Sequence, residues 1–127
     1  MATLTKIQSN ASFIKTESNG DRSRDVVTVT VPANTTYAAG TILGMITTTD
    51  KFVRHAASTE TDGSQNEAGI LYETLTNTTG SAVDNEAVSF ARDAEVNGSE
   101  LTYEVGAEAA QITASNLALK ALGIIVR

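Results

Sequence analysis

The chain holds one histidine, His55, at the end of the run Phe52-Val53-Arg54-His55. An imidazole can exchange a proton near neutral pH and is the commonest metal ligand, so His55 is the first residue to weigh as a general base or ligand. Either role needs partners. There is no cysteine to act as thiolate or nucleophile, and nothing stands at ligand spacing around His55, which reads instead as an exposed residue at a strand end. Downstream, Glu60, Asp62 and Glu67 could offer oxygens to a hard cation, but their spacing departs from that of an EF-hand loop and suits a solvated acidic loop. A turn between two strands could bring together two of Asp93, Glu95, Glu100 and Glu104, as glycoside hydrolysis requires. With three Phe, three Tyr and no Trp, aromatic platforms for a sugar are scarce. The glycine-flanked serine of hydrolases, the phosphate-binding P-loop and the dinucleotide glycine fingerprint do not occur. These residues predict no enzyme, no metal and no cofactor.

Composition narrows the class further. A chain of 127 residues can bury roughly two thirds of its unfolded surface in one core, and two cores of separate domains would be starved. Hydrophobic residues at 41% and charged residues at 19% are those of a folding chain rather than a disordered one. With few aromatics, the core must come from Val, Ile, Leu and Ala, which favours β-structure. The N-terminal stretch MATLTKIQSNASFIK lacks the apolar run of a signal peptide, and no stretch approaches the ~20 apolar residues of a membrane helix. A soluble protein made in the cytosol is expected, so the glycosylation triplets at Asn10, Asn34, Asn77 and Asn97 should go unused.

A formal charge of −6 argues against nucleic-acid binding, which needs clustered Lys and Arg to release counterions. The charge is also uneven. Residues 1–24 carry four cations (Lys6, Lys15, Arg22, Arg24) against two anions, net +2, while residues 25–127 carry five against thirteen, net −8. A mildly basic arm thus precedes an acidic body.

The elements that would position these groups are mostly strands. Residues 1–22 hold a few apolar side chains among Thr, Ser, Asn and Lys and end in the turn-rich string SNGDRSRD, which predicts an extended arm. Alone, such an arm buries too little to offset ~1–2 kcal/mol of backbone entropy per residue, so it needs a partner. From residue 23 a single β-rich domain should follow. DVVTVTV (25–31) alternates with period two and stops at Pro32, the only proline. TILGMITTT (41–49) has Gly44 inside it, where a bulge or close backbone approach is expected, and a turn at Asp50 and Lys51 makes a hairpin with FVRH. The segment 56–66 reads as a surface loop. Strands are expected again at 68–75 and 86–92, then a tight turn at Asn97-Gly98. AEAAQITASNLALKALG is the best helix, with Ile112, Leu119 and Leu122 on one face, Ser115 able to cap a shorter version, and Gly123 as the C′ residue. Leu119, Leu122, Ile124, Ile125 and Val126 could serve the core or a subunit contact, and Tyr37, Tyr72 and Tyr103 suit a core edge or an interface alike.

The strings SRDVVTVT, AAGTILGMIT, DGSQNEAGILYE, ARDAEVNGSELTY and ALKALGIIVR together resemble the bacteriophage head decoration protein D family over most of residues 23–127. The specific pieces are RDAEVNGSEL (92–101) and ALGIIVR (121–127). The resemblance implies a mainly β subunit of the β-clip type with a small helical portion. It further implies a homotrimer on the outer surface of the expanded capsid, at threefold and quasi-threefold positions, that stabilises the head against internal DNA pressure. An N-terminal arm pairs with the major capsid protein in that family. Residues 1–22 match the family pattern least.

An arm of this kind can add a strand to a sheet edge while alternate side chains fill pockets. Leu4, Ile7, Phe13 and Ile14 are the candidates for the pockets, and Lys6 and Lys15 for pairing with acidic capsid groups. No small-molecule substrate, nucleic acid or membrane is expected as a partner, and the protein should sit in the host cytoplasm before joining the virion. A different class also fits the strand pattern: a free-standing β-rich adhesion or ligand-binding module of a phage particle. It would show a preformed pocket and act as an isolated subunit.

Overall fold

The structure is a computed structural model that describes residues 13–18, 20–56 and 60–127. In chain order its elements are β1 (Ile14–Glu17), α1 (Gly20–Ser23), β2 (Arg24–Val31), β3 (Thr35–Tyr37), β4 (Ile42–Met45), β5 (Phe52–Arg54), β6 (Glu67–Leu71), β7 (Leu75–Asn77), β8 (Val83–Phe90), β9 (Ala94–Val96), α2 (Ala109–Ala121) and β10 (Ile124–Val126). The chain is mainly β with one longer helix near its C-terminus, as its composition requires.

Alternation along β2 builds the first core. Val27, Val29 and Val31 share one face of the strand and pack with Leu43, Leu71 and Ala87, whereas Val26, one residue out of phase, is 73% exposed. β2 pairs antiparallel with β8 over its full length, from Arg24 opposite Phe90 to Val31 opposite Val83. β8, β6, β4 and β5 continue the sheet, and a parallel contact of Val29 with Phe52 closes it as a five-stranded barrel.

A second core lies against the outside of this barrel. Neighbouring residues divide between the two: Leu43 and Leu71 join the barrel interior, while Ile42 and Ile70 join Phe13, Phe90, Val96, Leu119 and Ile124. Adjacent residues of a strand point to opposite faces, so β4 and β6, covered on both sides, carry continuous apolar pairs where β2 alternates. The three-stranded sheet β1-β9-β10 and helix α2 provide the cover.

Gly44 sits at the register shift between Leu43 and Gly44 where β4 meets β6. A Cβ there would lie 2.3 Å from the carbonyl oxygen of Ser64, so the glycine permits a backbone contact that any side chain would forbid. The 56–66 segment is accordingly more than a surface loop. Ser64 is 3% exposed and is held by Asp62, which accepts from its backbone N–H at 3.0 Å and its hydroxyl at 2.5 Å.

Helix α2 buries Ser115 and Leu119 and half-buries Ile112 and Leu122, positions three and four apart along one stripe. Ser115 therefore caps nothing. It lies on the packed face and donates to Glu67 Oε1 at 2.7 Å, while at the N-terminus Glu108 N–H is received by Gln111 Oε1 at 3.1 Å. Gly123 (φ 92°) turns the chain from α2 into β10. The tight turn at Asn97-Gly98 is a 3-10 turn over Gly98–Glu100, with Asn97 Oδ1 accepting from Ser99 N–H. Beyond it, Thr102 forms an isolated parallel bridge with Thr41.

Candidate functional site

Two regions gather the residues singled out by sequence. The first is the root of the N-terminal segment. β1 is an edge strand antiparallel to β9, with Ile14 opposite Val96 and Glu17 opposite Ala94. Asn97 N–H donates to the carbonyl of Phe13 at 2.6 Å. Phe13 is fully buried and meets the Phe90 ring edge-on at 5.8 Å between centroids. A ring in that position offers no surface to a partner, so Phe13 is a core residue rather than a pocket-filling one. Ile14 packs against the same core, and Lys15 is exposed. Of the arm expected over 1–22, residues 13–18 are held by the body. Leu4, Lys6 and Ile7 lie outside the described residues.

On the other side of β9 runs β10, parallel, with Val126 also opposite Val96. Arg127 N–H donates to Val96 O at 2.9 Å and Gly98 N–H to Arg127 O at 3.0 Å. The root of the N-terminal segment and the C-terminal residue therefore flank the same end of β9.

Charge at this junction is organised rather than diffuse. Arg24 bonds both oxygens of Glu17, with Nε at 3.1 Å from Oε2 and Nη2 against Oε1, and Ser23 Oγ donates to Oε2 at 2.7 Å. The Arg24 guanidinium beside it holds the Glu17 carboxyl below the usual carboxylate range. The same guanidinium lies 4.7 Å from the Tyr72 ring centre. Arg22 pairs with Asp93 at 2.8 Å, Arg92 with Asp25 at 2.7 Å and Arg127 with Glu95 at 2.8 Å. Two of the four cations that make residues 1–24 basic are thereby used within the body. The expected basic arm is left with Lys6 and the exposed Lys15.

The second region surrounds His55, which is 5% exposed and so not the exposed strand-end residue its sequence suggested. Its Nε2 lies 2.9 Å from the carbonyl of Gln65 and 3.1 Å from Glu67 Oε1. Both are acceptors, so Nε2 is a donor of the ring. Nδ1 is buried without a hydrogen-bond partner, as is Glu104 Oε2. Together with Ala110, Gln111, Ala114 and Ser115 of α2, these residues line a cleft of about 360 Å³. Sequence spacing gave no sign of this gathering, because Glu67 and Ser115 stand 48 residues apart. Among the described residues no three His, Cys, Asp or Glu side chains group to hold a metal ion, and no helix is long and apolar enough to cross a membrane.

The model of one protein family, bacteriophage lambda head decoration protein D, matches residues 3–124. The chain belongs to that family. The match covers the barrel, β1, β9 and α2, ends at the first residue of β10, and reaches into the segment before Phe13. A head decoration protein is a structural component of the phage capsid, so capsid decoration and a place on the virion follow for the chain. No curated protein matches the sequence significantly.

Proposed function

We propose that the protein binds, as a homotrimer, the outer surface of the expanded phage capsid at threefold and quasi-threefold positions. There it stabilises the head against internal DNA pressure and performs no catalysis. The observation that carries this reading is the family match over residues 3–124. The arm root supports its mechanism: the chain before Phe13 continues from an edge strand whose end is pinned to Val96 and Asn97. A segment anchored at one end is positioned to add a strand to a sheet edge of the major capsid protein. Leu4 and Ile7 are the proposed pocket-filling residues, Lys6 and Lys15 pair with acidic groups at the rim, Ile14 carries the strand into the body, and Phe13 anchors it. Before assembly the protein resides in the host cytoplasm.

Trimerisation multiplies the effect. Three arms on one body raise the effective concentration of the second and third, so overall affinity can exceed that of one arm by ~10²–10⁴. Removal of the arm should stop at residue 11, since Phe13 and Ile14 belong to the fold. The test is co-sedimentation with expanded and unexpanded empty capsids, the full chain beside a variant lacking residues 2–11. Saturable binding of the full chain to expanded capsids and none by the truncated one is the expected result. Equal binding by both would refute the arm mechanism, and binding by neither would refute decoration.

A further inference from the structure

The pair Asn97-Gly98 carries chemistry of its own. An asparagine amide can be attacked by the backbone nitrogen of the next residue, and a following glycine favours this because no side chain stands in the way. The fold needs both residues. Asn97 Oδ1 accepts from Ser99 N–H at 3.1 Å and from Ser99 Oγ at 2.8 Å, which holds the turn. A Cβ on Gly98 would stand 2.8 Å from Val126 Cγ1, so β10 can pass this close only over a glycine. The packing therefore retains a reactive bond.

Two sets of contacts act on that bond in opposite senses. The two hydrogen bonds accepted by the Asn97 side-chain carbonyl polarise it toward a nucleophile, as the donors of an oxyanion hole do. The nucleophile is withheld, because Gly98 N–H donates to the carbonyl of Arg127 at 3.0 Å and must leave it before turning toward Asn97 Cγ. What keeps that carbonyl in place is slight. β10 is a three-residue strand at an edge of its sheet. Beyond it, Arg127 is fastened by its N–H to Val96 O at 2.9 Å and by its ion pair with Glu95, whose side chains are 61% and 32% exposed. An end held in this way opens more often than a barrel core. Asn97 is only half-buried and Ser99 is exposed, so water reaches the turn.

We propose that Asn97 is a deamidation site gated by the Arg127 carbonyl. When β10 frays, Gly98 N bonds to Asn97 Cγ, the Cγ–Nδ2 bond breaks, and Nδ2 leaves with the Gly98 proton as ammonia. A water molecule then opens the cyclic imide at either carbonyl and leaves aspartate or isoaspartate. Isoaspartate inserts a methylene into the main chain between the N–H that holds Phe13 O and the N–H that holds Arg127 O. β9 then cannot keep both neighbours in register, and the modification loosens β10 and the root of the N-terminal segment together. None of this depends on capsid binding.

The full chain and a chain lacking Arg127 are incubated at neutral pH and physiological temperature beside a synthetic peptide of residues 93–100, which gives the ungated rate. Tryptic peptide 93–120 reports on Asn97, with the converted residue placed by fragmentation, and peptide 16–22 reports separately on the other Asn-Gly pair, Asn19-Gly20. The full chain should convert more slowly than the peptide. The chain lacking Arg127 should convert roughly fivefold to tenfold faster than the full chain, the factor gained when one net hydrogen bond is lost. Arg127→Ala, which keeps the carbonyl and loses the Glu95 pair, should fall between them. Hydrogen exchange at the amides of β2 and β8 should stay unchanged throughout, as local opening requires. Equal rates in the full and shortened chains would overturn the gate, and an unconverted Asn97 in the shortened chain while the peptide converts would overturn the site. If the shortened chain lost its barrel protection, Arg127→Ala would decide alone, and a wild-type rate in that variant would overturn the gate.

Discussion

Phe13 shows how a side chain in a polar stretch can belong to the body of the fold. In sequence it is an apolar residue in a polar stretch, equally suited to a partner's pocket. In the fold it is fully buried, with Phe90, Ile70 and Ile124 in the same core. Cutting such a ring back to a methyl group removes its transfer free energy and leaves a cavity that the surrounding strands only partly close. Phe13→Ala should therefore lower the stability of the isolated protein by about 3 kcal/mol, read as a reduced urea midpoint with unchanged slope. No change in midpoint would mean that the residue belongs to the arm after all. His55 makes the complementary point. Its burial is not legible in sequence, because the groups that enclose it, on β6 and α2, come from distant positions in the chain. The role of Gly44 is legible, because a glycine inside a β-rich run marks a bulge or a close backbone approach.

Among the elements, legibility follows how much of each signal is local. β2, the β4–β5 hairpin and the Gly123 end of α2 are readable, since period-two alternation, a turn between neighbouring β-rich runs and a C′ glycine are all short-range devices, although the turn runs through 46–51 rather than resting on Asp50 and Lys51 alone. β1 is not. It is four residues long with a single half-buried hydrophobic, Ile14, and owes its place to pairing with β9 some eighty residues away. What fastens it to β2 is the Glu17–Arg24 pair, whose side chains are 21% and 33% exposed. Because Arg24 holds the Glu17 carboxyl below its unfolded value, the folded state binds its proton less readily than the unfolded one. The resulting stability is present above the unfolded carboxylate pKa of about 4.3 and is lost as pH falls through the lower folded value. Glu17→Gln should thus cost about 1–3 kcal/mol at neutral pH, where a charged hydrogen-bond pair is broken, and progressively less in acid. Urea titrations of both proteins at pH 7 and pH 3 check this. A gap that stays constant with pH would mean that the pair contributes packing and not charge.

At the scale of the whole molecule, stabilising a shell needs no energy source beyond differential binding. A protein that attaches to the expanded lattice and not to its unexpanded or dissociated forms lowers the free energy of that lattice alone. For each site the gain is RT ln(1 + [L]/Kd), about 2.7 kcal/mol when free protein exceeds Kd a hundredfold. The acidic body suits this role, since it has no electrostatic reason to seek packaged DNA. The inactivation temperature of expanded capsids should accordingly climb with the logarithm of added protein once sites begin to fill, then level off only if the protein also binds the disrupted shell. Unexpanded capsids under the same additions should melt unchanged. If the two capsid forms were stabilised alike, binding would not discriminate between lattices. The protein would then be a general adhesive rather than a clamp on the expanded state.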